Sequence, residues 1–141
     1  MPIERSFAKI IVVLALAVAG APDWARSYHI AEFNSTIHVD KNGRALVTER
    51  ISFVFNGQFQ GIYRDIPVEY PGPRGTNYSL FITVKKVTDE DGAALKYEEH
   101  TQGGFLHLKV FVPGAVNATR TVTIDYSAPN ATKFFEDHDE F

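Results

Sequence analysis

The chain is predicted to be all-β, with antiparallel strands in two facing sheets. Three observations predict this. From Tyr28 onward apolar residues recur at every second position, the period of a half-buried strand. Turn-forming residues interrupt that alternation at Asn42-Gly43, Asp89–Gly92, Gly103-Gly104 and Pro113-Gly114. No helical pattern separates the strands, so there is nothing to serve as the long crossover that parallel pairing requires.

The elements follow in order. FNSTIHV (Phe33–Val39) sets Phe33, Ile37 and Val39 on one face and Asn34, Thr36 and His38 on the other. After the Asn42-Gly43 hairpin turn, Ala45 to Phe55 places Ala45, Val47, Glu49, Ile51, Phe53 and Phe55 in one phase. GIYRDIPVEY, from Gly61, is the third strand. YSLFITVKKV is the fourth, with Leu80, Ile82 and Val84 aligned. DEDG turns the chain into AALKYEEH, and the glycine pair turns it into FLHLKVFV, with Leu106, Leu108, Val110 and Val112 aligned. RTVTIDYS closes the set through Val122, Ile124 and Tyr126. About seven strands, each with one apolar face, imply an immunoglobulin-like sandwich; a small closed barrel is the alternative.

The N-terminus reads differently. Arg5 and Lys9 precede an apolar run from Ile10 to Ala21, the size of a signal-peptide core and short of the roughly 20 residues that span a bilayer. Ala25-Arg26-Ser27 offers cleavage before Tyr28. Residues 1–27 are therefore expected to be a signal peptide (an N-terminal signal helix), and 28–141 the sandwich domain. The leader holds Arg5, Lys9 and Arg26 against Glu4 and Asp23, so its removal takes the net charge from −3 to −4. With no basic run left, nucleic acid is not an expected partner. The absence of cysteine excludes thiol catalysis, thiolate metal sites and disulfides, so the core alone must hold the fold.

FNGQFQGIYRDIP (Phe55–Pro67) is the most informative stretch. Ile62, Arg64, Ile66 and Val68 share a phase, as do Val47, Glu49 and Ile51. Each strand thus carries one charge among its apolar positions, and the charges are opposite. A lone buried charge is costly and a paired one less so, so Glu49 and Arg64 are expected to meet as a largely buried pair, the planar guanidinium gripping the carboxylate at two points. Protection of a sheet edge and an anion site at Arg64 are the competing readings. Gly57 and Gly61 fit bends or bulges, Pro67 fits an edge strand, and the aromatics of this corner, Tyr63 among them, fit a plug. With Asp65 these residues form a structural motif that needs no catalytic role.

VTERISFVFNGQFQGIYRDIPVEY together with the terminal FFEDHDEF resembles the exported N-terminal part of the predicted bacterial membrane proteins grouped as domain of unknown function 2207. The resemblance runs from about Tyr28 to Phe141, and its most specific parts are GIYRDIP and DHDE (Asp137–Glu140). It implies location and architecture, not mechanism. Members of the family continue past the acidic motif with a Trp-containing strand and membrane-spanning helices, so the domain is expected to be truncated at its C-terminal end. Membrane association is then expected through those helices or through an uncleaved N-terminal segment.

Other chemistry is thin. Asp137, His138, Asp139 and Glu140 are candidate metal ligands, set against the simpler reading of a solvated acidic corner. Asp89–Gly92 resembles the start of a calcium loop but lacks its later ligands. Asn34, Asn77, Asn117 and Asn130 sit in Asn-x-Ser/Thr. No nucleophile elbow or phosphate loop occurs. The expectation is an exported, non-catalytic module without a cofactor, periplasmic or at the cell surface. Its expected contacts are other envelope proteins or its own membrane region. A metal-assisted hydrolase built on Asp137–Glu140 and a secreted adhesion glycoprotein are the alternatives.

Overall fold

A computed structural model describes residues 26–131, 133–134 and 139–140, with side chains described for 26–131. The expected leader lies outside these residues except for Arg26 and Ser27. Within them every ladder is antiparallel.

β1 (Ser27–Val39), β2 (Ala45–Asn56), β9 (Thr119–Ala128) and β6 (Thr83–Thr88) form one sheet in the order β1-β2-β9-β6. β3 (Gly61–Pro67), β8 (Phe105–Phe111) and β7 (Tyr97–Gln102) form the second in the order β3-β8-β7. Two short ladders complete the set. β4 (Glu69–Pro71) pairs with β5 (Asn77–Ser79) across a single 3-10 turn at Pro73–Gly75, and β10 (Lys133–Phe134) pairs with β11 (Asp139–Glu140).

Both main sheets contribute to one core. The largest fully buried side chains are Phe55, Ile51, Ile62, Leu108, Ile124, Val110, Val112 and Val122. The expected phases of β2, β8 and β9 all face inward: Ala45, Val47, Glu49, Ile51, Phe53 and Phe55 from β2; Leu106, Leu108, Val110 and Val112 from β8 and its end; Val122, Ile124 and Tyr126 from β9. The turns are where glycine placed them. Gly43 adopts φ 77° and donates its N–H to the Asp40 carbonyl, while the Asp40 carboxylate accepts from the N–H groups of Asn42 and Arg44. Asp89 repeats this arrangement with Asp91 and Ala93, so Asp89–Gly92 is a hairpin turn.

Three strands differ from the sequence reading. β1 begins at Ser27 rather than Phe33, because a bulge between Ile30 and Glu32 shifts the apolar phase from Tyr28 and Ile30 to Phe33, Ile37 and Val39. The third strand divides at Val68: its N–H still donates to the Gly104 carbonyl, but its carbonyl accepts from the Leu80 N–H, and β4 beyond it joins a different ladder. The fourth also divides, into β5 and β6, because the chain changes sheets over Leu80–Ile82. Leu80, Ile82 and Val84 still pack against the core, so the apolar phase survives the change of sheet.

Candidate functional site

The site expected from strand parity lies between the two sheets. Arg64 of β3 donates from Nε to Glu49 Oε2 and from Nη2 to Glu49 Oε1, both at 2.8 Å. This is the two-point grip that a planar guanidinium can make and an ammonium cannot. The Glu49 side chain is 5% exposed and that of Arg64 26%. Tyr126 of β9 donates its hydroxyl to Glu49 Oε1 at 3.0 Å. Arg64 Nη1 donates to the Asp65 carbonyl, and the Phe33 ring lies 5.7 Å from the guanidinium carbon. The hydrogen bonds that Arg64 donates to Glu49 raise the Arg64 pKa above its ordinary value, while burial, followed by the adjoining Glu49 carboxylate, pushes the Tyr126 hydroxyl up. All three guanidinium nitrogens of Arg64 have protein acceptors, so the arrangement is a closed clasp.

Tyr126 is the member that sequence reasoning missed. It was read as an apolar position of the last strand, yet a tyrosine in a core phase needs a partner for its hydroxyl, and the β2–β9 register places Glu49 opposite Ile124, two residues away.

The rest of the motif has varied roles. Gly57 adopts φ 95°, as a bend requires, and donates its N–H to the Asn117 side chain. Gly61 does not sit at a bend. A Cβ there would stand 1.8 Å from the Val110 carbonyl oxygen, so glycine permits a close approach of β3 to β8. Phe55 and Phe59 form the expected plug with Tyr28 and Phe53, but Tyr63 is 69% exposed and outside it. Pro67 lies on β3, at the outer edge of its sheet.

Asp65 turns away from the core and meets His107, with Oδ1 2.7 Å from Nδ1. His107 Nε2 lies 3.1 Å from the Gln102 carbonyl, and the His100 ring stacks on it at 4.9 Å. A carbonyl and a carboxylate both accept, so the pair of contacts favours a proton on each ring nitrogen. The Asp65 carboxylate, with the Gln102 carbonyl adding to it, raises the His107 pKa above 6.5. A raised histidine contributes stability that is complete below the unfolded value and fades as pH rises through the folded one. The melting difference between the wild type and Asp65→Asn is therefore expected to be larger near pH ~5.5 than near pH ~8.5. Equal differences at both would rule this out.

Sharing Tyr126 with the clasp is an apolar cavity of about 390 Å³ whose lining includes Ile37, Val47, Ile66, Tyr70 and Tyr78. Beside it runs the apolar row of β1, which is about half exposed: Tyr28 is 44% exposed, Ile30 53%, Phe33 47%, Ile37 50% and Val39 40%. These residues face the same way as the core phase of β2, and they are covered only in part: Tyr28 by Phe53, Phe55 and Phe59, and Phe33 by the Arg64 guanidinium.

The candidate metal ligands Asp137 and His138 lie outside the described residues. Of Asp139 and Glu140 only the backbone, paired with Lys133–Phe134, is described. Among the described residues no group of three or more His, Asp and Glu could hold a metal ion. Two of the Asn-x-Ser/Thr asparagines work within the fold: Asn117 accepts from Gly57, and Asn130 accepts from the Phe81 N–H while donating to the Ser79 carbonyl.

Fold and site together define an antiparallel β domain of two sheets, clasped internally by an ion pair and carrying an open apolar edge. The chain belongs to the family described as predicted membrane protein (DUF2207) N-terminal domain, whose model matches residues 29–141. No curated protein and no solved structure matches it. Among the described residues, no helix is long and apolar enough to cross a membrane.

Proposed function

We propose that the chain is the exported, immunoglobulin-like, non-catalytic sandwich of a bacterial membrane protein, and that it works by contact with another protein of the envelope or with the membrane region of its own chain. The apolar row of β1 carries this reading. Large apolar side chains in a continuous stripe on the outside of a domain mark a surface built to be covered. Among the described residues no buried side-chain nitrogen or oxygen lacks a hydrogen-bond partner. Arg64 closes on Glu49, His107 on Asp65, and Arg120 on Glu90 through Nε at 2.6 Å. A leader with cleavage before Tyr28 would leave all of β1 except Ser27 on the exported product.

The test places a photo-crosslinking amino acid at Phe33 or Ile37, on the row, and at Thr36, on the polar face, in the protein expressed in its host. Adducts from the first two positions and none from the third are expected, with an exported N-terminus at Tyr28. No adduct from any position would overturn the contact reading.

A further inference from the structure

The outer edges of the two sheets are not equally protected. β6 carries Lys85 and Lys86, and β7 carries Glu98 and Glu99, charges that discourage a further strand. β3 ends in Pro67, which has no N–H; the Pro67 carbonyl accepts from the Tyr70 hydroxyl, and the Asp65 carbonyl accepts from Arg64 Nη1. β1 is protected only at one point, by Glu32 beside its bulge. From Phe33 to Val39 it contains no lysine, arginine, aspartate, glutamate or proline, and among the described residues it pairs with β2 alone.

Hydrogen-bond parity shows what that edge offers. The Phe55 N–H donates toward β9, to the Ala118 carbonyl, so odd-numbered residues of β2 bond to β9 and even-numbered ones to β1. The partners of the even residues, Glu32, Asn34, Thr36 and His38, therefore turn their backbone toward β2. Phe33, Ser35, Ile37 and Val39 turn theirs outward, and three of these four also carry the apolar row.

The free segment is bounded by the bulge before Glu32 and by the turn that starts at Asp40. We propose that its occupant is the same segment of a second copy, paired antiparallel about a twofold axis at Ser35, so that two four-stranded sheets become one continuous sheet. This rests on the contact reading above and names its partner. The register about Ser35 sets Phe33 opposite Ile37 on the apolar face and Glu32 opposite His38 on the polar face, twice each by symmetry. Shifting the axis to Thr36 would oppose Glu32 to Asp40, two carboxylates. Shifting it to Asn34 would leave Glu32 facing Thr36 and drive the pairing into the bulge. Only the central register gives Glu32 a hydrogen-bonding side chain opposite, sets apolar side chains against each other and stays within the straight strand.

The test uses the full chain. Sedimentation equilibrium is expected to show a mass that doubles with concentration for the wild type. It should show a monomer for Ser35→Pro, whose missing N–H points outward and leaves the β1–β2 ladder intact. Ser35→Cys supplies the second arm. Facing residues of a hydrogen-bonded antiparallel pair have Cα atoms about 5.5 Å apart, within disulfide range. The chain has no other cysteine. Mild oxidation should therefore link Ser35→Cys into a covalent dimer, and Asn34→Cys and Thr36→Cys far more slowly. A wild type that stays monomeric, a dimer that survives Ser35→Pro, or faster linkage through Asn34→Cys or Thr36→Cys would overturn the proposal. If the chain is monomeric while photo-adducts form with a different protein, the second copy is wrong and the contact reading stands. If no adducts form at all, both fall.

Discussion

Replacing Arg64 with alanine is expected to lower the stability of the domain by about 3–5 kcal/mol, because it leaves a buried carboxylate without its counter-charge. Glu49 is the more deeply buried partner: its side chain is 5% exposed against 26% for Arg64. In Arg64→Ala the Tyr126 hydroxyl is the remaining side-chain donor to that carboxylate. In Glu49→Gln the amide oxygen can still accept one guanidinium N–H, and Arg64, being partly exposed, can recover some hydration. Glu49→Gln is therefore expected to cost less, about 1.5–3 kcal/mol, the range for losing a hydrogen bond to a charged group. Tyr126→Phe removes one such bond and nothing else, and falls in the same range. The three act on one carboxylate, so their effects should not add. Pairing Arg64→Ala with Tyr126→Phe should depart from the sum of the singles by at least about 0.5 kcal/mol. Thermal or denaturant unfolding of the singles and the double decides the matter. Wild-type stability in Arg64→Ala would show that the clasp does not hold the sheets together.

The clasp was legible in the sequence because β2 and β3 are regular over the stretch that matters. Two unbroken alternations each put one charge in an apolar phase, and the cost of burying a lone charge did the rest. The same logic failed where regularity fails. A bulge slips the phase of β1, so Tyr28 and Ile30 look out of step with Phe33 and Ile37 although all four share a face. The fourth strand keeps its apolar phase through Leu80 and Ile82 while its hydrogen bonds pass from one sheet to the other, and phase alone cannot report which ladder a residue joins. The exposed row was invisible for a related reason. Alternation shows that Phe33, Ile37 and Val39 share a face. Whether that face is covered depends on how far the second sheet extends, which is set by β3, β7 and β8, all distant in sequence. Gly61 was misassigned because a bend and a close approach both call for glycine, and only the position of Val110 separates them.

That distinction gives Gly61→Ala a large expected effect. The alanine methyl would lie 1.8 Å from the Val110 carbonyl oxygen, 2.9 Å from its carbon and 3.0 Å from the Phe111 Cα. All three are backbone atoms of β8, whose Val110 side chain is fully buried. No rotamer change relieves the overlap; β3 and β8 must separate, and the next hydrogen-bonded residues along β3 are Ile62 and Arg64. The disturbance thus reaches both the core and the clasp. The expected cost is at the upper end of overpacking, about 3 kcal/mol or more, which lowers Tm by roughly 10 °C in a domain of this size. Gly57→Ala is the informative contrast. There the nearest atom is Arg26 Cγ at 2.8 Å, on a flexible side chain that can swing aside. What remains is the strain of φ 95° on a residue with a Cβ, about 1–2 kcal/mol. Gly61→Ala should therefore be the more damaging of the two even though its backbone conformation is unstrained. If the order is reversed, backbone conformation rather than strand separation governs this corner, and β3 does not approach β8 as closely as described.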